Sequence, residues 1–389
     1  MTNILISTSC RFAFADQPSG RLLLYNLEKK KVFRSCEIIE PPYRDKDPNP
    51  RGGFRGLKGI SVNGNKIAIA NASTVFIYDH MWNPITYCWH PSCSGIHDIE
   101  LMDNSIWVTS SRNDLLVCMD FKGNIMNYFD LRKHFKNENI SDTKIDPFIS
   151  EKEIVSGRIN FRDPRTHDHA VTDLLHVNSF VFQDNGDLLV SIGLLRKVDR
   201  YMLHKLNNFL KKTPLSEFLP FLYKKYNQIL SRKKTTHFEA IPTTKKLTKS
   251  VILRRTTNGF WTKSLVLNNC SVPSHSIRIL RDSTGIYLNS TSGELLHFNL
   301  SNYDVISSHK IGDYFLRGAR ELSDGSILIG DNNYLIHFDM SNKKVLSRIR
   351  ITDNPAEAVF DINLLPGHFG LPPKSFEELH NQIYPVVQS

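Results

Sequence analysis

The chain has 389 residues, a net charge of +10 and 40% hydrophobic residues, so it is long enough to bury a sizeable core. It contains no run of about 18 apolar residues of the kind that spans a membrane, and its first residues carry no basic leader typical of a secretory signal. Its six cysteines are scattered and too few for a disulfide scaffold. We therefore expect a cytoplasmic protein with reduced thiols.

A motif of two short strands joined by a tight turn recurs with a period of about forty residues. In chain order the copies are FRGLKGISVNGNKIAIAN (54–71), GIHDIELMDNSIWVTSS (95–111), LHVNSFVFQDNGDLLVS (175–191), SHSIRILRDSTGIYLNS (274–290) and LRGARELSDGSILIG (316–330). Asn, Asp and Gly occupy the turns, and apolar residues alternate in the strands. Third and fourth strands follow several copies, and four short antiparallel strands per repeat are typical of a β-propeller blade.

The two ends of the chain supply the sixth blade. The N-terminal segments NILISTS, GRLLLYNL and KKVFRSCEII resemble second, third and fourth strands without a first. The C-terminal segment AVFDINLLP (358–366) contains FDINL, which aligns with HDIEL (97–101). Pairing these ends would cover both open sheet edges. We therefore predict an all-β fold with residues 1–389 in a single domain, a six-bladed β-propeller closed by its C-terminal strand.

Two insertions interrupt the repeat. Residues 130–172 are polar and irregular. Residues 200–262 carry Leu and Phe at helical spacing between basic residues, which predicts a basic helical insertion. Within it, residues 205–255 contain thirteen Lys and Arg against two acidic residues, enough to account for the net charge. We expect a lid over the channel; an acidic partner protein and an anionic membrane surface are the alternatives. Nucleic acid is not expected, because no recognised binding motif accompanies the charge.

Three copies of the motif begin with a histidine at one equivalent position. His97, His176 and His275 lie 13 to 15 residues before the serine that ends the second strand. The other copies place a different residue there, namely Lys58, Gly318 or Phe360. Because the innermost strands of a propeller line its channel, the three imidazoles are expected to converge at one mouth, beside Lys58.

These histidines predict a divalent metal site. Neutral imidazole is a common ligand for transition metals, and three protein ligands leave coordination positions open for catalysis. The pattern is compatible with iron, copper, zinc or manganese. Metal-free acid–base or ligand-binding histidines are one alternative, and a structural role, in which the rings hold water or a neighbouring backbone, is another. His167 and His169 form a second, weaker ligand pair in THDHAVTDLLH.

Charged and polar residues near the same mouth complete the predicted site. The predicted catalytic residues are Lys58, Asp98 and Arg278, and the predicted substrate-binding residues are Arg55, Asn178, Arg317 and Arg320. Guanidinium groups suit carboxylate, phosphate or sulfate, so we expect a small anionic or polyhydroxylated substrate. The alternative is that the arginines tie adjacent blades to carboxylates such as Asp98 and Asp361. No nucleotide cofactor is expected, because the chain has neither a P-loop nor a dinucleotide fingerprint.

Four motifs, HDIEL at 97, HVNSF at 176, PSHSIR at 273 and FLRGAR at 315, occur in this order. Together they resemble an uncharacterised family of bacterial β-propeller proteins whose signatures run HD, HLN, PHSPR and RGL. The resemblance covers most of the chain and implies a propeller with a shared histidine site that includes Arg278. This chain departs from the signatures in each of the last three motifs and in its basic insertion. More loosely, the blades resemble those of streptogramin-lyase-type propellers.

Two functions from different classes fit these observations. The first is an enzyme with a metal site at the channel mouth, a lyase, isomerase or oxygenase that acts by elimination, isomerisation or oxidative chemistry. The second is a non-catalytic propeller that scaffolds a partner protein through its top face and basic helices.

Overall fold

The computed structural model describes residues 2–10, 19–36, 56–90, 92–93, 95–135, 173–195, 248–313 and 315–376. Within these ranges the chain forms six sheets of four antiparallel strands each, which are the six blades of a β-propeller. The fold class predicted from the repeat is confirmed.

Blade I consists of β1 (Asn3–Cys10), β2 (Leu22–Asn26), β3 (Lys31–Cys36) and β24 (Glu357–Leu365), and blade II of β4 (Ile60–Asn63), β5 (Lys66–Ala70), β6 (Thr74–Asp79) and β7 (Pro84–Trp89). Blade III consists of β8 (Ile99–Leu101), β9 (Ser105–Ser110), β10 (Leu115–Asp120) and β11 (Ile125–Asp130), and blade IV of β12 (Val177–Phe182), β13 (Leu188–Leu195), β14 (Thr248–Arg255) and β15 (Trp261–Cys270). Blade V consists of β16 (His275–Ile279), β17 (Thr284–Asn289), β18 (Glu294–Asn299) and β19 (Val305–Lys310), and blade VI of β20 (Leu316–Glu321), β21 (Ile327–Asp331), β22 (Tyr334–Asp339) and β23 (Lys344–Arg350). A short 3-10 helix follows β11 at Leu131–Phe135.

The C-terminal strand closes the ring, as predicted. β24 is the innermost strand of blade I and pairs antiparallel with β1, so the two ends of the chain share one sheet. Glu357 on β24 reinforces this junction, because its carboxylate accepts hydrogen bonds from Arg21 Nε at 2.8 Å and Thr8 Oγ1 at 2.7 Å.

The core lies between neighbouring blades. Strands in the middle of a blade, such as β2 and β6, are buried on both faces, whereas the outermost strands β19 and β23 are largely exposed. Leu5 and Leu24 of blade I, for example, share a cluster with Ile67 and Phe76 of blade II. Each buried side chain of this size stabilises the fold by about 1.5–3 kcal/mol.

Acidic side chains set the turns between the third and fourth strands. The carboxylate of Asp79 accepts hydrogen bonds from the backbone N–H groups of Met81 and Asn83, each at 2.8 Å. Asp120 makes the equivalent pair of bonds in the next blade. These Asx turns explain why the third strand of a repeat ends at Asp or Asn.

The predicted insertions need correction. Residues 248–262 belong to β14 and the start of β15, so they are part of blade IV, and the second insertion ends earlier than predicted. The described residues contain no α-helix, so the structure does not support the predicted helical insertion, whose residues 200–247 lie outside them. The first insertion also begins later than predicted, because Asp130 ends β11 and the 3-10 helix follows. Its remainder, residues 136–172, lies outside the described ranges.

The part of the chain that the structure describes has no helix with the length and apolar character needed to cross a membrane.

Candidate metal centre at the channel mouth

The innermost strands of the six blades begin at the same mouth of the channel, because every blade repeats the same antiparallel order. Five of these strands have a mouth residue within two residues of their start, and β24 has Phe360, its fourth residue. In ring order from blade I the mouth residues are Phe360, Lys58, His97, His176, His275 and Arg317. Blades III, IV and V therefore supply three imidazoles to one half of the mouth. Blades VI, I and II supply two cations and an aromatic ring to the other half.

The three imidazoles converge, as the sequence predicted. The ring centroids of His97 and His176 are 4.9 Å apart, and each is 6.1 Å from the ring centroid of His275. One ring nitrogen from each histidine lies within 4.8 Å of the corresponding nitrogens of the other two. This is a spacing from which three ligands can meet at one metal ion.

Hydrogen bonds at the Nδ1 atoms hold two of the rings in a defined tautomer. His97 Nδ1 is 2.7 Å from the carbonyl oxygen of Gly95, which only accepts, so Nδ1–H is the donor. His176 Nδ1 is 2.8 Å from Oδ1 of Asp173. A carboxylate behind a histidine is the usual partner of a metal-bound imidazole, because it orients the ring and makes the opposite nitrogen more basic.

A hydrogen bond at Nδ1 favours the same tautomer in His275. Its Nδ1 is 3.2 Å from Ser290 Oγ, and that hydroxyl donates its own proton to the carbonyl oxygen of Leu316 at 2.8 Å. Ser290 Oγ therefore accepts from Nδ1–H. His275 is buried, and its Nε2 has no hydrogen-bond partner among the described residues. In the tautomer that these Nδ1 contacts favour, each ring has its lone pair at Nε2, the atom that would bind a metal ion.

The electrostatic environment favours neutral imidazoles. Burial, followed by the charge of Lys58, holds the pKa of His97 well below its usual range. Burial and then Arg317 do the same to the pKa of His275. Neutral imidazole is the form that binds metal ions.

The opposite half of the mouth is cationic. Lys58 Nζ lies 4.2 Å from the ring centroid of Phe360, and Arg317 Cζ lies 4.8 Å from the same centroid. The Phe360 ring is 5.3 Å from that of His97. Two cations therefore flank one aromatic ring across a narrow mouth from the histidines.

A layer of ion pairs crosses the channel deeper along the same strands. Arg278 donates from one terminal nitrogen to Asp98 and from the other to Asp361, each at 3.1 Å. Asp98 also accepts from Ser179 Oγ at 2.7 Å. Burial raises the pKa of Asp361 to about 6, although Arg278 acts against that shift. This bridge joins blades I, III, IV and V beneath the imidazoles.

The bridge locates two of the predicted catalytic residues. Asp98 and Arg278 form an ion pair, as expected from the alternative in which arginines tie adjacent blades to carboxylates. Their catalytic role stays a prediction. A ligand would have to reach the histidines from the mouth, because the bridge made by Arg278, Asp98 and Asp361 lies deeper along the same strands.

Left-handed residues shape the starts of three inner strands. His176 has φ 50°, Ser276 has φ 58° and Gly318 has φ 64°. Pairing of β12, β16 and β20 shifts register near these positions, which is typical of bulges that re-aim a side chain. A Cβ at Gly318 would lie only 3.0 Å from Cα of Asp361, so glycine is required there.

The bulge corrects one sequence alignment. Arg317 pairs with Gly330 on β21 in the same register in which His275 pairs with Leu288 on β17, and a residue with positive φ, Gly318 or Ser276, follows each of them. The blade VI residue equivalent to His275 is therefore Arg317, not Gly318. The sequence alignment missed this because it counted residues across a turn and could not detect a bulge.

Two of the remaining predicted site residues lie in described strands, and three lie outside the described residues. Asn178 Nδ2 donates to the carbonyl oxygen of Ser274 at 2.6 Å, which links blades IV and V. Arg320 is half-buried on β20, and burial, followed by the charge of Arg278, lowers its pKa. Three predicted residues, Arg55, His167 and His169, lie outside the residues that the structure describes.

The sequence reasoning missed the residues behind the rings. Asp173 lies three positions before His176 in the segment TDLLH, and this short spacing was the available signal. Ser290 offered another, since it was used only to mark the strand end opposite His275. An aspartate or a serine in the sequence cannot be recognised as the partner of a metal-binding histidine until its contact with Nδ1 is known.

No protein-family model matches the chain, and no curated protein matches its sequence. Solved structures do match. A protein of unknown function from Bacteroides caccae is 9% identical with a TM-score of 0.50, over 93% of this chain and 98% of that chain. A chain in a nidogen/laminin complex is 9% identical with a TM-score of 0.51, over 94% of this chain and 99% of that chain.

The structural neighbours also include streptogramin-lyase-type propellers, as the blade pattern predicted. Virginiamycin B lyase from Staphylococcus aureus is 12% identical with a TM-score of 0.42, over 77% of this chain and 71% of that chain. At such low identities the similarities concern the fold alone. The chain is a six-bladed β-propeller similar in fold to these proteins.

Proposed function

We propose that this propeller is an enzyme that binds a divalent metal ion through His97, His176 and His275. The observation that supports the proposal most strongly is the convergence of three imidazoles whose Nδ1 atoms are all held by the protein. Because these contacts hold each ring in the tautomer whose lone pair is at Nε2, the imidazoles are oriented for a metal ion before one binds. Imidazole donors suit zinc, copper and iron, whereas manganese, the fourth metal expected from the sequence, prefers oxygen ligands.

Three neutral nitrogen ligands leave coordination positions for substrate. A metal bound there would serve as a Lewis acid for elimination or isomerisation, or would support oxidative chemistry. Arg317 and Lys58 stand beside these positions and would bind a small anionic or polyhydroxylated substrate. Lys58 would also hold or release a proton at Nζ.

Metal analysis of the protein, purified without a histidine tag, tests the proposal. We expect the wild type to retain about one metal ion per chain after dialysis, as a three-histidine site should. Substitution of His97, His176 or His275 by alanine should abolish retention, because two imidazoles hold a metal far more weakly than three. His309→Ala is the matched control, since His309 lies on the outer strand β19.

Equal metal content in the wild type and in the three site variants would refute the ligand assignment. The alternative function, a non-catalytic propeller that scaffolds a partner protein through its top face and the basic segment 205–255, predicts no retained metal. It also predicts that deletion of residues 205–247 removes partner binding while the ring stays folded.

A further inference from the structure

The segment Asp173–His176, which leads into β12, has an unusual backbone. It has no regular secondary structure, and both of its end residues are left-handed, with φ 72° at Asp173 and φ 50° at His176. Residues other than glycine rarely adopt this conformation, which persists only where surrounding contacts hold it. Because Asp173 also contacts His176 at Nδ1, whatever holds this segment sets the position of the imidazole.

The turn between β9 and β10 of blade III holds the segment through three consecutive backbone N–H groups. The N–H of Asp173 donates to the carbonyl oxygen of Arg112 at 2.9 Å. The N–H groups of Leu174 and Leu175 donate to the two carboxylate oxygens of Asp114, at 3.0 Å and 2.9 Å. Asp114 is completely buried and has a left-handed φ of 55°. Its side chain therefore serves as a fixed acceptor for the backbone that carries the ligand of blade IV.

The same turn contacts the ligand of blade III. Ser111 Oγ donates its proton to the carbonyl oxygen of Val177, so at 2.8 Å from His97 Nδ1 it accepts from that nitrogen. Val177 is the residue directly after His176. One buried hydroxyl thus lies between the ring of His97 and the start of β12.

The charge of Asp114 matters to this arrangement. An ionised carboxylate has two oxygens that only accept, so it binds both N–H groups at once, whereas an amide offers a single oxygen. Burial raises the pKa of Asp114 to about 7, and the charge of Asp173 adds to this shift. Arg132 of the 3-10 helix and the two N–H groups act against it. The carboxyl group therefore loses its charge as the pH falls through about 7.

Resting on the proposed metal site, we propose that Asp114 and Ser111 are positioning residues, which hold His176 and His97 in the geometry that binds the metal ion. Asp114 acts through the backbone of the segment before His176. Ser111 acts through Nδ1 of His97 and the carbonyl group of Val177. The affinity of the mouth for a metal ion then depends on a turn of blade III and on the ionisation of one buried carboxyl group in it.

Competition between the folded protein and a chelator for zinc, at pH 8, measures this dependence. Asp114→Asn is expected to lower zinc affinity by about ten-fold, because the amide turns its NH2 group against one of the two N–H donors. Asparagine tolerates a left-handed backbone, so the substitution does not strain the turn. Ser111→Ala should lower the affinity by less, since Gly95 still accepts from His97 Nδ1. It keeps the proposal testable if Asp114→Asn does not fold.

Asp187→Asn is the matched control. Asp187 is also buried and also accepts from a backbone N–H, that of Thr257 at 3.1 Å, and from Arg254 Nε at 2.7 Å. It lies directly before β13, at the end of the blade opposite the mouth. Its replacement should lower the denaturant midpoint but leave zinc affinity unchanged.

The pH profile separates positioning from a purely structural role. The ratio of wild-type to Asp114→Asn zinc affinity should be about ten-fold at pH 8 and approach one toward pH 6, because the protonated carboxyl group is also a poor acceptor for two N–H groups. Protonation of the histidines lowers zinc affinity in both proteins, so it cancels in the ratio.

The two proposals fail in different ways. If the wild type binds no zinc, the metal site is wrong and this inference is wrong with it. Three results would leave the metal site standing and overturn the positioning role: wild-type affinity in both Asp114→Asn and Ser111→Ala, an equal loss in Asp187→Asn, or an affinity ratio that stays constant between pH 8 and pH 6.

Discussion

Asp173 is the residue that most directly distinguishes a metal site from three histidines that merely cap a channel. Its carboxylate lies 2.8 Å from His176 Nδ1, on the side of the ring away from the proposed metal. A ring that only fills space needs no such partner, whereas a ligand must keep its lone pair aimed at the ion.

Replacement of this carboxylate should weaken metal binding without touching the metal. Asp173→Asn is expected to lower the affinity for zinc or cobalt by about 10- to 100-fold, the usual cost of losing the group behind a metal-bound histidine. The measurement is a competition titration with a chelator, accompanied by the denaturant midpoint of the metal-free protein. Asp353→Asn, an exposed substitution, is the control. A variant with wild-type metal affinity would show that Asp173 has no positioning role.

The buried histidines also predict how stability depends on pH. The pKa values of His97 and His275 are held well below 6.5 in the folded metal-free protein. Below that pH the unfolded chain binds protons that the folded state excludes, so the free energy of unfolding falls as the pH falls. Above it, these groups contribute no pH dependence. Each contributes a slope of about 1.4 kcal/mol per pH unit where only the unfolded form is protonated.

Urea unfolding of the metal-free protein between pH 7.5 and 5 measures this effect. The comparison is with His275→Gln, whose stability should fall less steeply below pH 6.5 by about one proton. Asp361 contributes with the opposite sign, because its pKa is raised to about 6, but it is present in both proteins and cancels in the difference. Parallel curves for the two proteins would mean that folding does not exclude a proton from His275.

At the level of the strands, Arg278 on β16 pairs with Asp361 on β24 and with Asp98, the residue directly before β8. Removing a partner from a buried ion pair leaves the other charge uncompensated, which costs about 3–5 kcal/mol. Arg278→Met should therefore lower the free energy of unfolding by about this amount. Arg320→Met, at a half-buried site on β20, should cost much less. Equal denaturant midpoints for the two variants would contradict a structural role for the bridge.

The strands were predicted best where a turn motif joins two segments in which apolar and polar residues alternate. The segments 54–71 and 274–290 have Asn, Asp or Gly between stretches in which apolar and polar residues alternate. The structure has the hairpin β4–β5 within the first segment and the hairpin β16–β17 within the second. β14 was missed because its sequence, TKSVILRR, is basic at both ends and continued the charged segment. Its apolar centre is buried, so burial rather than charge identifies it as a strand.

The sequence predicted the positions of the three histidines, but it did not predict their hydrogen-bond partners. Counting back from the ends of the second strands placed His97, His176 and His275 at one mouth, because strand geometry fixes the distance along a hairpin. Counting failed at Gly318, where a left-handed residue shifts the register. The Nδ1 partners depend on contacts with loops and neighbouring strands, which no local pattern encodes.

At the scale of the whole molecule, the complete set of mouth residues forms only when the ring is closed. Each of the six blades contributes one mouth residue, and Phe360 comes from the C-terminal strand that pairs with β1. Residues far apart in the sequence meet at this mouth because the inner strands of all six blades run in the same direction along the central axis. The roles predicted for the basic segment 205–255, as lid, partner site or membrane contact, stay predictions.

Anomalous diffraction from crystals of the metal-loaded protein, recorded on both sides of the absorption edge, tests the central claim most directly. The account predicts a single strong peak at the channel mouth, with the Nε2 atoms of His97, His176 and His275 each about 2.0–2.1 Å away if the metal is zinc. An empty mouth, or a peak coordinated by other residues, would contradict it.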